Sequence, residues 1–492
     1  MSVALQPVDT IEVDTCEGRV RGFWRDTPGA VARSAAFLGI PFAQAPVGSL
    51  RFSAPAPMEP WVGVRDALAY GATAQRGDPG VTLIPEPSVP GESTLNVNVF
   101  TPDPSHRTDS MPVLVWIHGG GFISGSPASP WYDGRAFNRD SVVVVSLGYR
   151  LGFEGFGAIQ GATSNRGVRD WIAGLEWVQR NIAAFGGDPS RVTIAGQSAG
   201  GGAVLTLLGM EHVQHLFHSV YCASGAIADV TSERGAEAAG KLAKAVGVEA
   251  TVEGFSNVEE ESLLAAQGEA FKLGASDLTA GLPFGPLIDG ELIVRPTPES
   301  LRMGVGSDKP LVLGATDDEF SMIVQGKEKF LRWLPLALLL RPFKLPAEVR
   351  RAYLRANPEV AACGHGAVLG RFITDNMFRT VVVRVARARG EAPTWVYRVA
   401  FKSKAHGSAV HCIDVPFLFD CLDGPLVERL TGENPPQELA DAIHGAAVAF
   451  MRDGDPGWTP WSSEPDTDAV FGGAEATMEV ERGGYGGALP LV

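Results

Sequence analysis

Arg191-Val-Thr-Ile-Ala-Gly-Gln-Ser-Ala-Gly-Gly, residues 191–201, constrains this chain more than any other stretch. Residues 192–195 are apolar or β-branched throughout and predict a short buried strand. Residues 199–210 are mostly small and apolar and predict a helix. Between them Gly196-Gln197-Ser198-Ala199-Gly200 fits the pattern G-x-S-x-G. A strand, a tight turn and a helix around one serine form the setting in which a strained backbone presents a hydroxyl as a nucleophile. Glycine at 196 and 200 suits such a turn, because a Cβ at either position would crowd it. The bland alternative is a glycine-rich turn with a helix-capping serine. In a chain with 59 glycines the bare pattern can arise by chance, so the surrounding sequence has to decide.

That sequence alternates short apolar runs with helical ones. Residues 113–117, 142–147, 219–223, 311–315 and 394–401 read as strands, and 164–185 as a helix with Trp171, Leu175, Val178 and Ile182 at spacings of three and four. Strands alternating with helices predict an α/β fold with a mainly parallel sheet covered on both faces. Reactive residues then gather in loops at the carboxyl ends of the strands. Ahead of this part, residues 11–40 alternate apolar and polar around Gly18, Gly22 and Gly29, predicting antiparallel strands and hairpins, and 95–100 predict another strand. Residues 39–52 and 75–92 are broken by proline and glycine and read as loops. Residues 230–280 and 325–390 read as helix-rich excursions. Within the second, 330–345 is unusually apolar for a stretch so broken by prolines, and reads either as core beneath an insertion or as the wall of a greasy pocket. The glycine- and proline-rich end after Gly454 reads as surface loops. Without internal repeats or a low-complexity linker, residues 1–492 read as one catalytic domain.

Composition narrows the possible partners. A formal charge of −15 argues against nucleic acid or an anionic membrane surface. Residues 1–14 show neither a basic cluster nor an apolar core, so no secretory signal is read there. The most apolar run, 333–340, is interrupted by Pro335 and falls far short of the ~20 residues needed to span a bilayer. Five cysteines without a C-x-x-C pair suggest free thiols, and with them a cytoplasmic location.

A serine hydroxyl at neutral pH is a poor nucleophile unless a base takes its proton and a third group holds that base. Backbone N–H donors must also meet the oxyanion that forms. His118-Gly119-Gly120-Gly121-Phe122 follows the strand 113–117 and lies upstream of the serine, where half of such an oxyanion hole belongs; the N–H of Ala199 would supply the other half. Asp317, Asp318 and Glu319, just past the strand 311–315, are three candidate acids that spacing cannot separate. Chain order favours His365, His406, His411 and His444 as bases. His444 lies within a predicted helix, 439–451, whereas His406 and His411 share the loop after 394–401 and stand nearly level.

Long motifs in a fixed order resolve more. They are Phe37-Leu-Gly-Ile-Pro-Phe-Ala with Pro46-Val-Gly-Ser-Leu-Arg-Phe, Trp116-Ile-His-Gly-Gly-Gly-Phe, Tyr149-Arg-Leu-Gly, Asn181-Ile-Ala-Ala-Phe-Gly-Gly-Asp-Pro, Gly196-Gln-Ser-Ala-Gly and Ala409-Val-His-Cys-Ile-Asp-Val-Pro-Phe-Leu-Phe. With them the chain, over roughly residues 12–460, resembles a type-B carboxylesterase of the α/β-hydrolase fold, most like the bacterial para-nitrobenzyl-type esterases. The resemblance implies a serine carboxylic-ester hydrolase working through an acyl-enzyme, without metal or other cofactor. It makes Ser198 the nucleophile, His411 the base and Glu319 the acid, with Gly120, Gly121 and Ala199 as the oxyanion hole. It pairs Arg51 with Glu92 in a structural salt bridge. The expected partner is a small-molecule ester, with no nucleic acid and no membrane, and the chain is read as a monomer. Phe122, Phe284 and Phe320 suggest an aromatic-lined pocket for small or aryl esters with short acyl chains. An amide or carbamate hydrolase on the same triad is the alternative, and a non-catalytic interaction protein of the same fold a more distant one. An acetylcholine site is not expected, since the loop 75–93 has no tryptophan. The chain departs from the family at Gly148, where the motif has asparagine, and at Phe320, where it has glycine. Ala74 and Thr94 replace the cysteines that close the 75–93 loop in secreted members.

Overall fold

The computed structural model describes residues 9–492 apart from 28, 30–32, 78–81, 105–109, 272–281 and 475–476. Parts of the loop expected at 75–92 and of the excursion expected at 230–280 therefore lie outside the described residues.

The amino-terminal alternation builds antiparallel structure as expected. β1 (Thr10–Asp14) pairs with β2 (Arg19–Arg25), β2 with β3 (Ser34–Pro41), and β3 with β5 (Asn96–Thr101), while the short β4 (Val64–Asp66) lies parallel to β2. The next strands are more apolar. Every residue of β6 (Met111–Ile117) and β7 (Val143–Leu147) is buried, which a strand achieves only inside a sheet covered on both faces. β7 and β8 (Gly187–Gln197) flank β6 in parallel. β9 (Ser219–Ala223) follows β8, and a small separate ribbon joins β10 (Val230–Thr231) to β11 (Leu287–Ile288). β12 (Leu311–Thr316) and β13 (Thr394–Val399) continue the parallel run.

The carboxyl end corrects the sequence reading. In place of surface loops, β14 (Thr467–Phe471) adds to β13 in parallel and β15 (Met478–Arg482) closes the edge antiparallel. All of β14 is buried, and its Asp468 accepts from Arg398 Nε on β13 at 3.0 Å. The buried aspartate breaks the apolar pattern that marks the other core strands. The sheet order is thus β1-β2-β3-β5-β7-β6-β8-β9-β12-β13-β14-β15, with β4 beside β2.

Alternation along β6 and β7 sorts the core into two layers. Val113, Val115, Val143 and Val145 face a cluster with Trp171, Leu175 and Val178 of the helix Arg166–Asn181. Leu114, Trp116 and Val144 face the opposite cluster, with Phe419 and with Ile443 and Ala447 of the helix Gln437–Asp453. The predicted helix 164–185 is this α-helix followed by a 3-10 turn, Ile182–Phe185, that ends on Gly186 at φ 85°. The helix Ala199–Leu208 is buried at every residue; it is apolar except for Thr206, whose hydroxyl donates to Gly202 O at 3.0 Å.

The excursion after β12 is a series of short helices. Its apolar stretch is neither wholly core nor pocket wall: Leu340 is buried, but Phe330 and Trp333 are 66% and 75% exposed. Prolines 335 and 342 break it into pieces too short to turn all their apolar side chains inward.

Candidate active site

β8 ends at Gln197, and Ser198 follows at φ 59° and ψ −120°, a conformation costing an L-residue about 1–3 kcal/mol. Three backbone bonds hold it there. Ser198 N donates to Ala223 O at 3.0 Å, and its carbonyl accepts from Gly202 N at 2.9 Å and Ala226 N at 3.2 Å. The glycine requirement is steric: a Cβ on Gly196 would lie 2.4 Å from the Gly200 carbonyl, and one on Gly200 would lie 2.0 Å from Ile117 O.

The glycine triplet leaves β6 beside this elbow, where a Cβ on Gly119 would come within 3.2 Å of Ser198 Cβ. His118 anchors it. Burial drives that imidazole down to about 4, so it is neutral, and its Nδ1 lies 2.8 Å from Gly119 O. Its ring stacks on Tyr149 at 4.5 Å, and the Tyr149 hydroxyl donates to His118 O at 2.9 Å. Tyr149 thus explains part of the Tyr-Arg-Leu-Gly motif, and the adjacent Arg150 pairs with buried Asp170 at 2.6 Å. Gly120 and Gly121 take φ 106° and 63°, which favour glycine, and the turn closes on Gly120 O through the amides of Ile123 and Ser124. Among the described residues the amides of Gly120, Gly121 and Ala199 have no hydrogen-bond acceptor. Three unspent donors beside one serine can receive a developing anion.

The three acidic residues after β12 separate by what they touch. Asp317 binds Arg379 at 2.9 Å and Arg398 at 2.7 Å, both structural ion pairs. Asp318 bonds the loop from β13, its amide donating to Ala409 O at 3.0 Å and its Oδ2 accepting from Ala409 N at 3.1 Å. Glu319 alone reaches a histidine: its Oε2 accepts from His411 Nδ1, while Oε1 accepts from Thr316 N at 2.7 Å. The His411 amide also donates to Glu319 O at 2.9 Å. Both side chains are buried, and Phe320 and Phe378 pack on the imidazole at centroid distances of 4.8 and 4.7 Å.

His411 sits well above the ordinary imidazole range. Burial works against its charged form, but the neighbouring Cys412 sulfur and the Glu319 carboxylate outweigh that. Burial also raises the Cys412 pKa and keeps it a neutral thiol, so the carboxylate is the charge that counts.

Two of the three competing histidines are engaged elsewhere. His365 Nδ1 meets Leu334 O at 2.8 Å, and His444 bridges Leu418 O and Asp140. The His406 carbonyl accepts from Gln325, and its ring has no hydrogen bond among the described residues. Ser198 Oγ likewise makes no hydrogen bond among the described residues. His411 Nε2 is met instead by Gln197 Nε2 at 3.1 Å, a neighbour 214 positions away that no local pattern indicates.

Of the three expected pocket residues, Phe320 is half-buried beside the imidazole. Phe122 and Phe284 are 0% and 1% exposed; Phe122 packs against Phe156 and Trp171, and Phe284 against Phe153 and Phe271. Neither offers a face to substrate in this conformation. The Arg51–Glu92 pair is also corrected: Arg51 binds Glu154 at 2.7 Å, and Glu92 is exposed. Both carboxylates line one cleft of about 880 Å³, and Glu154 presents itself from the motif after Tyr149, too distant in sequence for spacing to indicate. That cleft borders the glycine loop at Ile123 and Ser124 but is not lined by Ser198 or His411.

This architecture has known counterparts. A carboxylesterase of Geobacillus stearothermophilus superposes with a TM-score of 0.83 at 31% identity, over 97% of this chain and 99% of that one. The para-nitrobenzyl esterase of Bacillus subtilis is 33% identical over 466 residues, 90% of each chain. Phenmedipham hydrolase of Pseudarthrobacter oxydans is 32% identical over 488 residues, 91% of this chain and 93% of its own. The model of the carboxylesterase family matches residues 9–473. With the α/β-hydrolase fold in place and relatives aligned along nearly its whole length, the chain belongs to the carboxylesterase family and is a serine hydrolase of carboxylic ester bonds.

Proposed function

We propose that Ser198, His411 and Glu319 carry out this hydrolysis on small or aryl esters through an acyl-enzyme. Ser198 Oγ attacks the ester carbonyl carbon while His411 Nε2 takes its proton. The carbonyl oxygen, now an anion, is met by the amides of Gly120, Gly121 and Ala199. Collapse of the tetrahedral intermediate breaks the bond to the alkoxy oxygen, which leaves as the alcohol with the proton from Nε2. Water then repeats the sequence on the acyl-enzyme, releasing the acid and restoring Ser198. Glu319 holds the proton on Nδ1, leaving the Nε2 lone pair available, and stabilises the imidazolium formed in each half-reaction. For attack, Nε2 must exchange its contact with Gln197 for one with Ser198, a tightening that substrate binding commonly brings.

The observation that carries this reading is the convergence of one strained serine, one buried carboxylate–imidazole pair and three unspent amides at the carboxyl ends of β6, β8, β12 and β13. The substrate class rests on the aromatic packing of Phe320 and Phe378 at the imidazole, which narrows the space for an acyl chain, and on relatives named for esters as small as a para-nitrobenzyl group. The relative named phenmedipham hydrolase keeps the carbamate or amide reading as the alternative. The same reading takes residues 1–492 as one catalytic unit that works as a monomer in the cytoplasm, where its five unpaired cysteines remain reduced.

A panel of para-nitrophenyl esters from acetate to palmitate, with matched carbamates and anilides, tests it. Highest kcat/KM should fall on short esters, declining gradually because each methylene is worth only ~1–3 kcal/mol. A maximum at twelve carbons or beyond, or a faster carbamate or anilide, would replace the substrate assignment.

A further inference from the structure

The excursion after β12 exposes a surface unlike the rest of the molecule. In a chain of formal charge −15, residues 323–344 hold five basic residues against Glu328 alone. The same region carries exposed apolar bulk at Phe330, Trp333, Leu338 and Ile323. The Arg332 guanidinium lies 4.9 Å from the Trp333 ring centroid, so cation and indole share one surface. Among the described residues Lys327, Arg332, Arg341, Lys344 and Arg351 form no ion pair, although the molecule has acidic residues to spare.

This surface stands beside the site. Gln325 Nε2 donates to the carbonyl of His406, in the loop that leads to His411, at 2.7 Å. Leu334 O meets His365, which opens the helix His365–Thr374, and Arg371 of that helix donates to Asp317 O at 2.9 Å, two residues before Glu319. The patch therefore projects from the loops that hold base and acid.

Unpaired cations interleaved with an exposed tryptophan, a phenylalanine and leucine are the chemistry of a surface that meets anionic lipid: aromatic and aliphatic groups enter the headgroup boundary while lysine and arginine meet phosphate. A second copy of the chain is a poor occupant, since it would set one basic patch against another. Among the described residues no helix is long and apolar enough to cross a membrane, so any attachment here is peripheral. We propose that residues 323–344 are a docking surface for an anionic lipid interface, seating the active-site edge of the sheet on a membrane or micelle. The formal charge of −15, which set the expectation against an anionic membrane, opposes a local basic patch only weakly, because charges beyond a Debye length of about 8 Å are screened at physiological salt.

The test is cosedimentation of the full chain with vesicles of phosphatidylcholine alone and of phosphatidylcholine mixed equally with phosphatidylglycerol. Binding should appear on the mixed vesicles, weaken several-fold on the neutral ones, and fall as salt is raised. Lys327→Glu with Arg332→Glu should reduce partitioning about tenfold or more. Phe330→Ser with Trp333→Ser should do likewise, and both pairs should leave turnover of a soluble short-chain ester unchanged. No binding to the mixed vesicles, or binding that either pair leaves intact, would overturn the proposal. So would a dimer in size-exclusion chromatography that the Phe330/Trp333 pair dissociates without any change in vesicle binding.

Discussion

Ser198, Glu319 and His411 occupy three unlike environments, and each makes a different failure mode observable. Ser198→Ala should retain the fold and abolish both ester turnover and covalent labelling by a serine-directed phosphonate. In subtilisin the equivalent loss is on the order of 10⁶ in kcat. Glu319→Gln should lower kcat strongly and also shift the pH profile. The base works only when deprotonated, and burial opposes while Glu319 favours its protonated form, with the net pKa raised. Activity should therefore rise with pH along an acid limb above the ordinary imidazole value, and loss of the carboxylate should move that limb to lower pH. A limb that stays put would remove Glu319 from its role. Asp317→Asn should behave differently. It weakens the Arg379 and Arg398 pairs, so melting should report a loss of about 1.5–3 kcal/mol while kcat of the folded enzyme is largely retained. His411→Ala should be nearly as damaging as loss of the serine, and His406→Ala nearly silent in a para-nitrophenyl acetate assay. Spacing could not choose among three acids or between two histidines, because adjacent residues in a loop point to different neighbours. Asp317 finds arginines, Asp318 finds a backbone amide, and Glu319 alone finds an imidazole.

At the scale of elements, the elbow depends on contact between β8, the helix Ala199–Leu208 and the end of β6. A methyl group at Gly200 would sit 2.0 Å from the Ile117 carbonyl, backbone against backbone, with no flexible side chain to yield. Gly200→Ala should cost about 1–3 kcal/mol or more and slow phosphonate labelling, measured by thermal melting and intact mass. These elements were legible in the sequence because each is mostly apolar, with Ser146, Ser219 and Thr316 the buried polar exceptions: β6, β7, β9 and β12 lie within about two residues of their expected bounds. β14 was not, since its burial depends on Asp468 meeting Arg398 from another strand, a pairing that local pattern cannot express. The stretch at 330–345 misled in the opposite direction. Apolar composition implies burial only where a partner face exists, and at Phe330 and Trp333 none covers the side chains.

For the whole molecule, none of the five cysteines is bonded to another. Melting temperature and activity should thus be indifferent to dithiothreitol; a shift of several degrees would reveal an unexpected pair. β12 and β13 are adjacent and in register from Leu311↔Thr394 to Thr316↔Val399, although the chain leaves the sheet for residues 317–393 between them. The loops beyond their ends are laced together by Asp318 and Ala409 and by Glu319 and His411. Glu319 and His411, the proposed acid and base, are thereby brought together by neighbouring strands, however long the detour that separates them in sequence. A change of length in the outer part of that detour, from about residue 325 to 364, should therefore leave the pairing of Glu319 with His411 in place.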